Sequence, residues 1–114
     1  MTTQQYLLCV TEAQNYSDRD AYLSDLALSS VWEDEPESAV PADRLEALGN
    51  IYDAVHRSIR DIASASGLTQ RKLMERFCIP RRTMEDWSTG TRSCPVYTLL
   101  LIQESLGIFH PPID

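Results

Sequence analysis

Residues 79–92 read Ile-Pro-Arg-Arg-Thr-Met-Glu-Asp-Trp-Ser-Thr-Gly-Thr-Arg. At helical spacing the run separates into two sides. Met84 and Trp87, three apart, share an apolar side, and Arg81, Arg82, Thr83, Glu85 and Asp86 point polar groups outward. Their chemistry is recognition by hydrogen bonds rather than bond-making. A guanidinium is a rigid fork of N–H donors that matches a phosphate or the O6/N7 edge of guanine, and a carboxylate accepts from cytosine N4. Sets of residues that would catalyse a reaction are missing. There is no Ser/His/Asp arrangement and no pair of catalytic carboxylates, and the 4 glycines, all at helix ends or interruptions, leave nothing for a nucleotide loop. Cys9, Cys78 and Cys94 are odd in number, isolated and free of any C-x-x-C, so neither a disulfide framework nor a zinc ribbon is expected. Cys78 and Cys94 read as buried small apolar groups. His56 and His110 have no ligand-like neighbours. No cofactor, no metal and no enzymatic activity are expected.

Such a recognition face has to be held by its neighbours. Thr69 is an N-cap, and Gln70–Phe77 makes two helical turns with Leu73, Met74 and Phe77 inward. Cys78-Ile79-Pro80 is a tight connection, because Pro80 disfavours helix at Ile79 and tolerates a helix start after it. Arg81–Ser88 is a second short helix, stopped by Gly90. Ser93 or Cys94 precedes Pro95, which opens a last helix to about Leu106. Its apolar face is Val96, Leu99, Leu100, Ile102 and Leu106, and Gly107 closes it. Two short helices joined by a three-to-four-residue turn, the second polar and basic on its outer side, meet the requirements of a helix-turn-helix.

Upstream, residues 3–13 form a short helix with Tyr6, Leu7, Val10 and Ala13 on one side. Ser17 reads as the N-cap of a helix over about 18–31, and Ser17-x-x-Asp20 resembles a capping box. Tyr6, Tyr16, Tyr22 and Trp32 read as core or partner contacts. Glu33-Asp34-Glu35-Pro36-Glu37-Ser38 is a charged, proline-broken connector and the best boundary, dividing an acidic extension (1–40) from a second domain (41–114). From Pro41 a single helix is expected to about Ala65. Its stripe is Leu45, Leu48, Tyr52, Val55, Ile59 and Ile62, at steps of three and four. The stripe packs on the chain's own core, or its three heptads support a coiled-coil pair.

With 114 residues and 43% apolar content, the chain is long enough for a real core. A net charge of −7 argues, as a total, against nucleic acid. Its distribution argues otherwise. Residues 1–56 carry eleven acids against Arg19 and Arg44, a balance of −9. Residues 57–92 carry eight of the ten basic side chains against four acids, a balance of +4. No apolar run approaches the roughly 18 residues of a membrane span, the N-terminus has no signal-peptide pattern, and a reducing cytosol fits the cysteines. Asn15-Tyr16-Ser17 matches a glycosylation sequon that has no meaning without a secretory route.

Gly67-Leu68-Thr69-Gln70-Arg71-Lys72-Leu73, followed by Ile79-Pro80-Arg81-Arg82-Thr83-Met84-Glu85-Asp86-Trp87-Ser88-Thr89-Gly90-Thr91-Arg92, resembles the phage-repressor/Cro-type (XRE) helix-turn-helix family over about residues 59–107. The register Ile-Pro-x-Arg-Thr-x-x-x-Trp-x-x-Gly is closest to the antitoxin-like branch and to small regulators on mobile elements. The resemblance implies an all-α, lambda-repressor-like helix-turn-helix bundle with an N-terminal helical extension. It implies sequence-specific binding of double-stranded DNA by a homodimer that regulates transcription of its own operon or of a mobile element. On it, Thr69 and Gln70, with Arg71 beside them, dock on phosphate. Arg81, Arg82, Glu85 and Asp86 face bases, Thr83 is partly buried or touches a phosphate, and Arg92 grips the backbone. Leu73, Phe77, Ile79, Met84 and Trp87 are core. The sequence departs from the family at Cys78, where the turn usually has Gly, and at Met74, where Ala is usual and a wider helix crossing follows. It departs again in the acids of the reading helix and in having no counterpart of the family's next helix between Leu106 and Asp114. The rival reading is a protein-interaction module or antitoxin whose acidic residues 1–40 bind a toxin, another regulator or a basic surface.

Overall fold

The computed structural model describes residues 1–29, 32 and 41–113, with the backbone alone for 41 and 42. Every regular element among them is an α-helix: α1 (Thr3–Ala13), α2 (Arg19–Ala27), α3 (Pro41–His56), α4 (Ile59–Ser66), α5 (Gln70–Phe77), α6 (Arg81–Thr89) and α7 (Val96–Ser105). The all-α class follows the sequence. The acidic connector 33–38, with its proposed domain boundary, lies outside the described residues. The chain folds as two compact units, Met1–His56 with Pro111–Asp114, and Arg57–His110. No helix among the described residues is long and apolar enough to cross a membrane.

The division falls inside the stretch whose apolar stripe predicts one helix. Ser58 breaks it. Its backbone is extended (φ −76°, ψ 166°), its Oγ accepts from the Asp61 N–H at 3.1 Å, and Asp61 Oδ2 accepts from the Ser58 N–H at 3.0 Å. This reciprocal capping box starts a new helix. Hydrogen bonding from the Ser58 backbone N–H, and after it from the Ser58 side chain, holds the Asp61 carboxyl below its ordinary value. The stripe is therefore shared out: Leu48, Tyr52 and Val55 are buried in the first unit, Ile59 and Ile62 in the second, and Leu45 is exposed. A helix over 41–65 is thus corrected to two helices, and the stripe serves two intrachain cores.

In the first unit α1 and α2 pack on α3. Thr2 and Gln5 form a capping box that opens α1. The N-cap of α2 is Asp18, not Ser17; its Oδ1 accepts from the Asp20 N–H at 3.0 Å. Tyr6, Tyr22 and Tyr52 are core, and Tyr16, half-buried, meets Tyr22 edge-on with ring centroids 5.6 Å apart. Tyr22, fully buried, donates to the Cys9 carbonyl at 2.9 Å, and Tyr52 donates to the Tyr16 carbonyl at 3.1 Å. Tyr52 stacks on His56 with ring centroids 4.1 Å apart, and His56 Nε2 donates to the Ala13 carbonyl at 2.9 Å. Gly49 is buried in α3 because Arg19 crosses it to reach Asp53, with Nε–Oδ1 at 2.9 Å and Nη2–Oδ2 at 3.3 Å.

The second unit is built on Ile59, Ile62, Ala63, Leu73, Met84, Leu99 and Ile102. Met74, Phe77, Ile79 and Trp87 pack partly buried against this core. Pro95 opens α7 as its N-cap, and Leu106 ends it, as the sequence predicts. Gln103 is fully buried inside the apolar face of α7. Its Oε1 accepts from Arg57 Nη1 at 3.0 Å and its Nε2 donates to the Leu99 carbonyl at 3.2 Å, which satisfies the buried amide. After Gly107 the chain turns back, with the Ile108 N–H donating to the Gln103 carbonyl at 2.9 Å and the Ile108 side chain against the core.

Candidate nucleic-acid interface

Helix α5 begins where the sequence predicts. Thr69 Oγ1 accepts from the Lys72 N–H at 3.1 Å. The helix ends at Cys78, which is exposed rather than buried as expected and takes the left-handed conformation (φ 54°, ψ 40°), the one non-glycine positive φ among the described residues. The Ile79 N–H then donates to the Met74 carbonyl at 3.0 Å, the six-to-one bond of a helix stop normally closed by glycine. Pro80 restores an extended backbone (φ −58°, ψ 142°), and the Met84 N–H donates to the Pro80 carbonyl at 3.0 Å as α6 starts. Three residues thus separate two short helices. Both pack on α4 and on each other, locked by Leu73 and Met84, which are nearly inaccessible.

A polar tie supports this apolar lock. Ser88 Oγ donates to Gln70 Oε1 at 2.6 Å, from α6 to α5. Gln70 therefore has its acceptor oxygen committed within the protein, while its amide N–H groups suit a phosphate oxygen. Ser88 is a residue that sequence reasoning missed; only the packing of the two helices brings it to Gln70.

Gln70, Arg71, Arg81 and Glu85 come together around a depression of about 440 Å³ whose lining is completed by Met74 and Met84. Met74 thus lines the cleft between the helices. Thr69 stands exposed at the α5 cap, Thr83 is half-buried on α6, and Arg82 is exposed beside Arg81. Arg92 lies past the left-handed Gly90 (φ 80°) and returns to α6, its N–H donating to the Asp86 carbonyl at 3.2 Å and its Nε 3.8 Å from Asp86 Oδ2.

The acids of this surface each lie beside an arginine. Arg71 pairs with Glu75 at 3.4 Å, Arg81 with Glu85 at 3.0 Å and Arg92 with Asp86 at 3.8 Å. Among the described residues Lys72 and Arg82 have no carboxylate within ion-pair distance. The Arg71–Glu75 and Arg81–Glu85 pairs are exposed and one helical turn apart, so each adds little to stability, typically about 0.3–0.5 kcal/mol, whereas Asp86 is half-buried beside Arg92. Their effect is on charge. Each pair is nearly neutral overall, while Lys72 and Arg82 keep their full positive charge.

No group of His, Cys, Asp and Glu side chains among the described residues is placed to hold a metal ion. Burial pushes the Cys94 thiol, and likewise the Cys9 thiol, up to about 11. Both are protonated at neutral pH and unsuited to nucleophilic or metal-binding work. Comparison with family models, curated proteins and solved structures returns no match.

Proposed function

We propose that the chain is a sequence-specific DNA-binding regulator that lays α6 in the major groove of double-stranded DNA. The observation that supports this best is the construction of α6. Its inner side is fixed to the core through Met84, and its outer side holds Arg81, Arg82 and Glu85 exposed at the start of the helix, where a groove-binding helix meets base edges. The polar tie to Gln70 keeps α5 beside it, with Thr69, Gln70 and Arg71 at the phosphate-facing end. A homodimer is the working form, because one small module makes few contacts and two half-sites multiply them. The likeness to XRE-type regulators on mobile elements points the same way, and the cytosol is the compartment such a function needs. Replacing Arg81 and Arg82 together by Ala tests the proposal in a gel-shift with the full chain. Loss of about 1–3 kcal/mol at the preferred duplex is expected from one bidentate guanine contact alone. Equal binding of wild type and double variant to every duplex would refute it.

A second reading is favoured by one observation in the first unit. Leu7 and Leu8, adjacent on α1, are 58% and 44% exposed, on a face that continues through the uncharged Gln4 and Thr11. Residues 1–56 are otherwise strongly acidic, so this face suits a protein partner with basic groups around an apolar centre, such as a toxin or another regulator. Substituting Leu7 and Leu8 by Ser is then expected to abolish partner capture and to leave DNA binding intact; loss of DNA binding alone would argue against it.

A further inference from the structure

We infer that Glu85 is a positioning residue for Arg81, and that the pair reads a single guanine. This rests on the DNA-binding reading above and goes beyond it by assigning the acid a role and the base an identity.

Arg81 Nε donates to Glu85 Oε1 at 3.0 Å, one turn further along α6. A hydrogen bond to Nε occupies the side edge of the guanidinium. The end edge, formed by the two Nη groups, stays open, and that edge matches guanine O6 and N7 in a bidentate contact. Arg82, the next residue, is held by no carboxylate among the described residues. The two neighbouring guanidiniums therefore differ in freedom. A loose one suits a phosphate, which accepts from many directions. A held one suits a base edge, which accepts from one.

The pair has little other purpose. Arg before Glu at this spacing is the less favourable order against the helix dipole, and both side chains are exposed, so the helix gains almost nothing from it. Its surroundings favour a role in contact with DNA. Met74 and Met84 give the adjoining cleft an apolar lining, and Gln70 and Arg71 border it. When DNA covers the cleft and excludes water, the hydrogen bond strengthens and holds the fork more firmly. Glu85 is also poorly placed to read cytosine alone, since one of its oxygens already accepts from Arg81.

The test compares full-length wild type, Glu85→Ala, Glu85→Gln and Arg81→Ala on a panel of duplexes in which each position of the selected site is varied. Circular dichroism confirms that each variant is folded. Glu85→Ala is expected to lose roughly fivefold or more of the guanine preference at one position, with the other positions unchanged. Glu85→Gln, which keeps an acceptor for Nε, is expected to retain most of it. Both variants are expected to bind non-cognate duplex more tightly, because a negative charge has gone. Arg81→Ala is expected to erase the preference at the same position, and adding Glu85→Ala to it to change that position no further. Retention of the guanine preference by Glu85→Ala would overturn the inference, as would a loss of cytosine preference at a separate position. Failure of wild type to bind any duplex would instead overturn the DNA-binding reading itself.

Discussion

Cys78 occupies a position that glycine is made for, and replacing it by glycine should stabilise the second unit. A non-glycine residue in the left-handed region is disfavoured by about 1–2 kcal/mol. Glycine removes that strain but adds unfolded-state freedom worth roughly 0.5–1 kcal/mol. Little else changes. The Cys78 side chain is exposed, so no buried area is lost, and the bonds that close α5, from the Cys78 and Ile79 N–H groups to the Met74 carbonyl, are main-chain bonds that glycine keeps. The net gain should be about 0.5–1 kcal/mol. Cys78→Val, β-branched at the same φ, should be destabilising. Urea unfolding followed by Trp87 fluorescence in a Trp32→Phe background reports on the second unit alone. With a slope of roughly 1–3 kcal/mol per molar, the midpoint should rise by a few tenths of a molar for glycine and fall for valine. A fall with glycine, or no difference between glycine and valine, would show that residue 78 does not hold the left-handed conformation and that the α5–α6 turn is built differently.

Other substitutions probe the two units separately. A Cβ on Gly49 would come within 2.5 Å of the Arg19 guanidinium, so Gly49→Ala should set the loss of the Arg19–Asp53 pair against better helix propensity. The stability change should be within about 0.5 kcal/mol in wild type, and the same substitution should stabilise by about 1 kcal/mol in an Arg19→Ala background, read by chemical denaturation. Ser58→Ala removes the cap of α4 and should lower stability by about 1 kcal/mol. Asp61 has a folded-state carboxyl value below its unfolded one, so its contribution is present above the unfolded value and is lost as pH falls through the folded one. The stability difference between wild type and Asp61→Ala should thus be full at pH 7 and shrink below about pH 4; a pH-independent difference would remove the ionised carboxylate from the account.

The sequence was most informative where local chemistry decides structure. Thr69, Pro80, Gly90 and Gly107 act on their own neighbours, and α5, α6 and the end of α7 fall where those residues put them. It misled where one local signal competed with another. The stripe from Leu45 to Ile62 continues in register across Ser58, and periodicity alone joins what a capping box divides. The same Ser-x-x-Asp pattern that is used at Ser58 is passed over at Ser17, where Asp18 caps instead; nothing in the spacing distinguishes the two. At the candidate interface the residue types were readable and their pairing was not. Glu85 and Asp86 look like a liability in a basic helix until each is seen beside an arginine. The Ser88–Gln70 tie depends on how α5 and α6 pack, which no pattern within either helix encodes. Gly49 looks like a flaw in a helix until Arg19 is found lying across it.

The central claim, that α6 reads DNA sequence, is tested most directly by selecting bound duplexes from a random pool with the full chain. The account predicts enrichment of a palindrome whose half-sites lie about 10 base pairs apart, centre to centre, with guanine fixed at one position in each half. A pool that stays random through repeated rounds at low salt would contradict it.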